Sequence, residues 1–389
     1  MPMKKKKLNT LITRIIIAAV LILGAYYLFT GSDPLGLFTE PTAETAPSVD
    51  VASSGGGEDS AWEVYFTDPA TINDSSNYSG SIPEKLINYI DQAQETIHIA
   101  SFEFNLTPVA EALINAHKRG VEVIWITDDE HGLEADEEEG HGQFAMLEDA
   151  GIQVLDDQRS ALMHNKFWIF DRQIVWTGST NITENGTFRN NNNVVVFHSP
   201  QLADIFENEF AEMLAGEFGP KSPSTMRNQS TEINGTKVKV LFAAEDEIMD
   251  ELIHLVEGAD KSIIFMAFSF THDDLGDAVL KMAQSGVNVQ GIFETRGSET
   301  EYSEMTSFYC NDILVRQDGN PGTFHHKVIV IDGEIVITGS LNFSNNAIES
   351  NDENVVIIYN AEMASLFLQE FEQRWAEAEA PDASDLVCE

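Results

Sequence analysis

Cysteine and basic residues are scarce in this sequence. The 389 residues include only two cysteines, Cys310 and Cys388, which excludes a scaffold held by many disulfides and a zinc cluster built on cysteines. Only 22 Lys and Arg stand against 64 Asp and Glu, a formal net charge of −42. Such an acidic chain is a poor candidate for tight non-specific binding to nucleic acid, which depends on neutralising many phosphates. The hydrophobic content of 43% excludes a wholly disordered chain.

The few basic residues at the start of the chain precede a long apolar run. Lys4–Lys7 and Arg14 are followed by 17 basic and 64 acidic residues in positions 31–389, a net charge of −47 there. Residues 11–30, LITRIIIAAVLILGAYYLFT, have the length of a helix that spans a bilayer. The basic residues next to this segment favour keeping the N-terminal end in the cytoplasm. We therefore expect a basic cytoplasmic end at 1–10, a transmembrane signal anchor at 11–30 and an extracytoplasmic body. The alternative is a cleaved signal and a secreted protein.

The rest of the chain consists of two copies of one unit. After a tether at 31–60, helix-like segments at 83–94 and 108–120 alternate with strand-like segments at 96–104 and 121–129. This order predicts a parallel β-α-β pair in an α/β sheet. The order returns 166 positions later, where Phe102 is matched by Phe268 and Gly120 by Gly286. We predict two halves, 61–215 and 237–378, related by a pseudo-two-fold axis, with a linker at 216–236 and a tail at 379–389.

The repeat is sharpest around a polar motif, H-x-K-x4-D followed by G-S-x-N. The first copy begins at His164 and the second at His325, and every matched pair is 161 positions apart. The matched residues are His164 and His325, Lys166 and Lys327, Asp171 and Asp332, Ser179 and Ser340, Asn181 and Asn342.

These residue types suit chemistry at a phosphodiester. Alternate side chains of a strand share a face, so His164 and Lys166 point the same way, as do His325 and Lys327. Imidazole serves as nucleophile, base or acid, and lysine is a point charge suited to a phosphate oxygen. Two such strands facing each other would place a nucleophile on one side of phosphorus and a proton donor on the other.

Two motif copies with matching surroundings resemble the phospholipase D superfamily, over roughly residues 62–378. The resemblance implies two α/β/α halves around one site and a phosphohistidine intermediate that requires no metal and no cofactor. It implies that His164 is the nucleophile and that His325 protonates the leaving alcohol. The catalytic set it implies is His164, Lys166, Asp171, His325, Lys327, Asp332 and Glu353. The phosphate-binding set is Ser179, Asn181, Ser340 and Asn342, and no metal ligand is expected.

Two positions leave the roles of carboxylates open. Asp332 lies in an Asp-Gly pair between two apolar runs, which is a hairpin signal, so it serves either the turn or the chemistry. Glu353 follows His325 by 28 positions, whereas Asn192 stands at the matching place after His164. We expect Glu353 beside His325, where its charge would favour the protonated general acid, and Asn192 beside a neutral His164.

Two further features are ambiguous from sequence alone. Residues 128–142 hold His131 and His141 among many carboxylates, and we expect a solvated acidic loop rather than a divalent-cation site. Cys310 and Cys388 would pair if the body lies outside the cytoplasm, but the sequence does not show their distance.

The sequence therefore predicts a membrane-anchored phosphodiesterase of the phospholipase D type. Its expected partner is a membrane phospholipid, cleaved to phosphatidic acid, and nucleic acid is an unlikely substrate. The alternatives are a nuclease or a cardiolipin-synthase-like phosphatidyltransferase on the same residues, and a catalytically silent scaffold. The sequence leaves the oligomeric state and the acceptor, water or alcohol, open.

Overall fold

A computed structural model describes residues 61–222, 229–384 and 386–388. The expected transmembrane segment at 11–30 and the tether at 31–60 lie outside these residues. Among the helices that are described, none has both the length and the apolar character needed to cross a membrane.

The first half forms a seven-stranded mixed sheet. Its strands are β1 (Trp62–Phe66), β2 (Thr96–Ser101), β3 (Glu122–Thr127), β4 (Gln153–Asp156), β5 (Lys166–Phe170), β6 (Ile174–Gly178) and β7 (Asn193–His198), in the order β1-β7-β6-β5-β2-β3-β4. Its helices are α1 (Ile82–Gln92), α2 (Thr107–Arg119), α3 (Gln143–Asp149) and α4 (Pro200–Leu214). As predicted, β2 and β3 are parallel and joined by α2.

The second half repeats this sheet with one strand added at the edge. Its strands are β8 (Ser230–Ile233), β9 (Thr236–Ala243), β10 (Ser262–Ala267), β11 (Asn288–Phe293), β12 (Leu314–Gln317), β13 (Lys327–Ile331), β14 (Ile335–Gly339) and β15 (Glu353–Tyr359), in the order β12-β11-β10-β13-β14-β15-β9-β8. Its helices are α5 (Ile248–Glu257), α6 (Asp273–Gln284), α7 (Glu304–Cys310), α8 (Asn345–Glu349) and α9 (Ala361–Glu377).

Strand β8 lies inside the segment 216–236 that was expected to be a linker. Asn234 and Gly235 both have positive φ, 46° and 84°, as a two-residue type I′ hairpin between β8 and β9 requires. The Asn-Gly pair therefore marks a β-hairpin, and the linker between the halves is shorter than the predicted 216–236.

The two sheets share a central hydrophobic core. Phe206 of α4 packs edge-on against Phe242 of β9 with ring centroids 5.4 Å apart, and Phe66 of β1 packs against Phe367 of α9 at 5.1 Å. Each sheet buries a second cluster on its outer face, beneath helices of its own half. Because α4 and α9 close their own halves against the shared core, the two copies form a single packed body.

Both halves need glycine at the end of the strand that follows the H-x-K motif. Gly178 and Gly339 have φ of 151° and 148°, and a Cβ on either would overlap the carbonyl oxygen of Asn193 or Asn354. This close approach brings β6 against β7 and β14 against β15.

The two cysteines are joined in a disulfide. Cys310, at the end of α7, is bonded to Cys388 in the C-terminal tail, with Cα atoms 5.5 Å apart. The bond fixes the tail to the second half. The sequence had left this pairing open.

The aspartates of the H-x-K-x4-D motif have a structural role, which corrects the catalytic role expected for both. The Asp171 carboxylate accepts hydrogen bonds from the backbone N–H groups of Gln94, Glu95 and Thr96, at 2.7–3.1 Å. Asp332 does the same for residues 260–262, at 2.7–2.9 Å. Each aspartate lies five positions after its lysine along the strand, about 16 Å away, so neither carboxylate can reach the site. Each one ties a β-hairpin to the start of the neighbouring strand.

Asp171→Ala and Asp332→Ala should therefore reduce stability without disabling the enzyme. We expect each to lower the free energy of unfolding by about 1 kcal/mol, because three largely exposed backbone N–H groups lose a charged acceptor, and to change kcat little. Burial raises the pKa of Asp332 but the three N–H donors lower it further, so the net pKa lies below its ordinary value. Its stabilisation is therefore present at neutral pH and is lost as the pH falls through that pKa.

Denaturant unfolding and turnover of a chromogenic phosphodiester would measure the two effects. Asp204→Ala, at an exposed position of α4, is the matched control and should change neither. A loss of kcat comparable to that of a histidine variant, at unchanged stability, would restore the catalytic role.

Candidate active site

Each motif histidine is held by the opposite half of the chain. The backbone N–H of His164 donates to the carbonyl of Asp352 at 2.8 Å, and the N–H of His325 donates to the carbonyl of Asn191 at 2.9 Å. Residues 163 and 352, and likewise 191 and 324, form isolated β-bridges. The two motifs therefore enter one site, as the pseudo-two-fold symmetry predicted.

The side-chain partners of the histidines also come from the opposite half, which corrects the expected placement of Glu353. Nδ1 of His164 lies 2.7 Å from Glu353 Oε2, and Nδ1 of His325 lies 2.9 Å from Asn192 Oδ1. The carboxylate therefore faces the expected nucleophile, and the amide faces the expected acid. Sequence spacing placed each partner within its own half, but the exchange across the axis reverses the assignment.

The hydrogen bonds around Asn192 orient its amide. Its Nδ2 donates to the carbonyl of Gly186 at 2.8 Å, and its Oδ1 accepts from the Ser179 hydroxyl at 2.8 Å. The oxygen is thereby directed at His325, whose Nδ1 must carry the hydrogen, leaving Nε2 for proton transfer. Ser340 bonds to Glu353 in the same way. Both serines are fully buried and bond to the partner of a histidine, while their phosphate binding stays a prediction.

The two motif lysines are buried cations. Lys166 and Lys327 are 2% and 1% exposed, and their Nζ atoms donate to the carbonyls of His164 and His325 at 2.8 and 2.9 Å. Burial lowers the pKa of Lys166 to about 8. Burial and the charge of Lys166 lower the pKa of Lys327 well below its ordinary value. An anion bound between them would supply the negative charge that balances these two lysines.

Each lysine and histidine also packs against a phenylalanine from the neighbouring strand. Phe102 lies 5.1 Å from Lys166 Nζ and 4.8 Å from the His164 ring. Phe268 lies 4.6 Å from Lys327 Nζ and 4.9 Å from the His325 ring. Both positions were recognised only as a repeat pair. Phe102 precedes His164 by 62 positions and Phe268 precedes His325 by 57, so sequence spacing alone gave no signal that assigns them to the site.

Both histidines are neutral in the free protein. Burial, together with the charges of Lys166 and Lys327, lowers the pKa of His164 and of His325 well below the usual value. Burial raises the pKa of Glu353 to about 7, against the opposing charge of Lys166. Above that pH the carboxylate is ionised and accepts the Nδ1–H of a neutral His164, whose Nε2 lone pair is then free.

The site opens into a cleft of about 670 Å³. Its wall includes His325, Phe268 and Asn181, and one side is formed by the acidic segment 128–142. Nδ2 of Asn181 donates to Glu103 Oε2 at 2.9 Å, which leaves its second hydrogen for a ligand. Asn342, the matching residue of the second motif, has a buried Oδ1 with no hydrogen-bond partner among the described residues. Four carboxylates line the cleft: Glu103, Glu130, Glu138 and Glu294.

Substituting Asn192 by Asp should raise the pKa of His325. The variant places a carboxylate 2.9 Å from Nδ1 in place of a neutral amide, and an opposite charge favours the imidazolium. Titration of the ¹⁵N-labelled histidines by NMR would measure it. The His198 signal, from a ring that bonds Glu63 away from the cleft, is the internal control. An unchanged His325 titration in Asn192→Asp would show that these two side chains do not interact.

Comparison with known proteins supports two repeated domains. Residues 86–214 and 252–375 each match the family model described as "Cardiolipin synthase, PLD-like domain". The human protein named mitochondrial cardiolipin hydrolase is 35% identical over 130 residues, which are 33% of this chain and 52% of that protein. A Rickettsia conorii protein named phospholipase D is 30% identical over 146 residues, 38% of this chain and 73% of that protein. The chain thus spans about half the length of the mitochondrial relatives it matches.

A solved structure matches over both halves. Phosphatidylserine synthase from Haemophilus influenzae superposes with a TM-score of 0.61 over 82% of this chain and 87% of that chain, at 12% identity. At this identity the likeness concerns the fold alone. It supports the arrangement of two sheets around one site.

Proposed function

Because the chain belongs to the phospholipase D superfamily, with two PLD-like domains, we propose that it cleaves the head group of a membrane phospholipid through a phosphohistidine on His164. The observation that carries the proposal is the reciprocal histidine pair, with Glu353 on one ring and Asn192 on the other, above two buried lysines. This asymmetry gives the two histidines different roles.

The first step forms a phosphorus–nitrogen bond. Nε2 of neutral His164 attacks phosphorus, and the positive charge that develops on the ring is stabilised by Glu353 at Nδ1. Lys166 and Lys327 hold the non-bridging oxygens, with the free hydrogen of Asn181 available to one of them. The phosphorus–oxygen bond to the head group breaks, and His325 donates a proton to the departing oxygen.

His325 must gain that proton when the substrate arrives. In the free protein two lysines and burial disfavour its charge, and Asn192 adds no compensating anion. The phosphodiester brings one negative charge into the site and raises the pKa of His325 by the opposite-charge effect. Neutral His325 then takes a proton from water, which attacks phosphorus, breaks the phosphorus–nitrogen bond and restores His164. Phosphatidic acid is the product.

The cleft favours a head group that carries a positive charge. Four carboxylates and one arginine, Arg296, line the cleft, so the rim repels a polyanion while the lysines receive a single phosphate. The charge of the cleft favours a zwitterionic phospholipid over nucleic acid as the substrate, and it is a more direct argument than the net charge of the chain. The names of the cardiolipin hydrolase and phospholipase D relatives agree with a lipid substrate.

We place the catalytic body outside the cytoplasm, beside the membrane. The disulfide between Cys310 and Cys388 suits an oxidising compartment. The charge distribution around residues 11–30 supports an N-terminal anchor with this orientation. A site held at the membrane surface would meet phospholipid at high local concentration.

His325→Ala should trap the covalent intermediate when the leaving group needs no proton. With bis(p-nitrophenyl) phosphate we expect a burst of about one p-nitrophenolate per chain followed by near arrest, since the acid is dispensable in the first step but the base is required in the second. His164→Ala should show no burst, and the double variant should resemble it because the residues act as a unit.

Stopped-flow absorbance would measure the burst, and mass spectrometry after alkaline quenching would locate the p-nitrophenyl phosphoryl adduct in His325→Ala and in the parent chain. His198→Ala, remote from the cleft, should turn over repeatedly like the parent protein. An adduct on His325 of the parent chain, or a burst from His164→Ala, would reverse the assignment.

Phospholipid should be a better substrate than nucleic acid. Vesicles of phosphatidylcholine and phosphatidylethanolamine should yield phosphatidic acid, and a phosphatidyl alcohol when a primary alcohol is present. Cardiolipin vesicles, single-stranded DNA and double-stranded DNA should react more slowly at low and at moderate salt, with His325→Ala as the control for contaminating activity. If DNA is cut and lipid is not, the chain is a nuclease; if neither reacts, the silent scaffold replaces the proposal.

A further inference from the structure

Three aspartates converge beneath the acidic wall of the cleft. Asp128 and Asp129 follow β3, and Asp157 follows β4, the neighbouring parallel strand. One carboxylate oxygen from each lies within 4.8 Å of the others. Asp128 and Asp157 are buried, with 1% and 6% of their surface exposed.

The surrounding backbone leaves one of these oxygens unsatisfied. Asp128 accepts from the N–H groups of His131 at 2.8 Å and Met163 at 3.0 Å. Asp157 Oδ1 accepts from the N–H of Asp129 at 3.2 Å. Asp157 Oδ2 is buried and has no hydrogen-bond partner in the part of the chain that the structure describes. A buried carboxylate oxygen without a donor is costly.

The local charge is also uncompensated. Arg159, the cation whose charge acts on Asp157, is itself engaged with the carboxylate of Asp352 and the carbonyl of Ser350. Three carboxylates in this space therefore lack a full complement of positive charge.

The second half supplies an internal comparison. At the repeat positions of Asp128, Asp129 and Asp157 it has Glu294, Thr295 and Asp318. Asp318 Oδ1 accepts from the N–H of Thr295 at 3.0 Å and from its hydroxyl at 3.1 Å, and Oδ2 accepts from the N–H of Asn320 at 3.0 Å. The same corner of the fold is thus satisfied by hydrogen bonds in one half, while the other half has an extra carboxylate and an unpartnered oxygen.

We propose that Asp128, Asp129 and Asp157 bind a calcium ion. Calcium takes oxygen ligands in irregular geometry, carboxylates foremost, and fills the remaining positions with carbonyls and water. The three carboxylates would supply the charge, and Asp157 Oδ2 would gain the partner that the protein does not provide. This revises the expectation of a merely solvated acidic loop, and it does not depend on the proposed reaction.

The position of the ion indicates what it would do. Asp128 holds the N–H of Met163, the residue before His164. Asp129 begins the helical turn Asp129–Glu134. This turn and the residues that follow it supply Glu130, His131, Glu138 and His141 to the cleft wall. A bound ion would therefore fasten this wall to the strand that carries the nucleophile, without contacting the reacting atoms.

Calcium binding to the purified full chain, after removal of metal with a chelator, would test the proposal. We expect saturable binding by calorimetry below about 10 mM calcium chloride, the weak end of known sites, and a rise in Tm with calcium. Asp157→Asn should weaken binding at least about tenfold, because it removes one of three charged ligands. Asp129→Asn, at a less buried position, should do the same if Asp157→Asn fails to fold.

Asp318→Asn is the matched control, since it alters the equivalent aspartate of the second half, and it should bind calcium like the parent chain. Absence of saturable calcium binding by the parent chain would overturn the proposal. So would an unchanged affinity in both Asp157→Asn and Asp129→Asn, or an equal loss in Asp318→Asn. Saturation by magnesium with equal or higher affinity would overturn the choice of ion.

Discussion

The site depends on a reciprocal exchange between the two halves. The histidine of each half bonds to the other half twice, through its backbone N–H to a carbonyl and through Nδ1 to a side chain. Two cross-half bonds behind the rings reinforce the exchange: Asn193 Nδ2 donates to Thr338, and Asn354 Nδ2 donates to Thr177, both at 2.8 Å. Neither half can orient its own histidine, so the catalytic geometry exists only when both sheets are packed on the shared core.

This exchange also explains how buried lysines are tolerated. Lys166 and Lys327 each donate to a carbonyl of their own motif and lie over a phenyl ring, which are weak compensations for a buried charge. Burial lowers the pKa of Lys166, and burial together with the charges of the two lysines lowers the pKa of both histidines. In the proposed mechanism a phosphodiester supplies the missing negative charge, and its binding converts His325 into the acid that the reaction needs.

Sequence was sufficient for the architecture and for the identity of the convergent residues. The parallel pair of β2 and β3, the helix that ends at Gly120 and the close approach at Gly178 and Gly339 all follow from local patterns. The disulfide was left open and the segment that forms β8 was taken for a linker, because the distance between two cysteines and the conformation of a short polar segment depend on tertiary packing. The far position of Asp171 could be inferred from strand length alone, yet the motif drew it into the catalytic set.

Sequence could not decide which histidine receives Glu353. In a chain with an internal repeat, sequence spacing does not show whether a residue contacts the histidine of its own copy or that of the other copy. Only the packing of the two halves distinguishes these arrangements. The outcome changes the chemistry. In the proposed mechanism, a carboxylate on His164 stabilises the positive charge that appears during attack, whereas a neutral amide on His325 leaves its protonation to the substrate. Duplication within one chain permits this division of labour, because each copy can change at one position, Asn192 in the first and Glu353 in the second, while the shared frame keeps both rings in place.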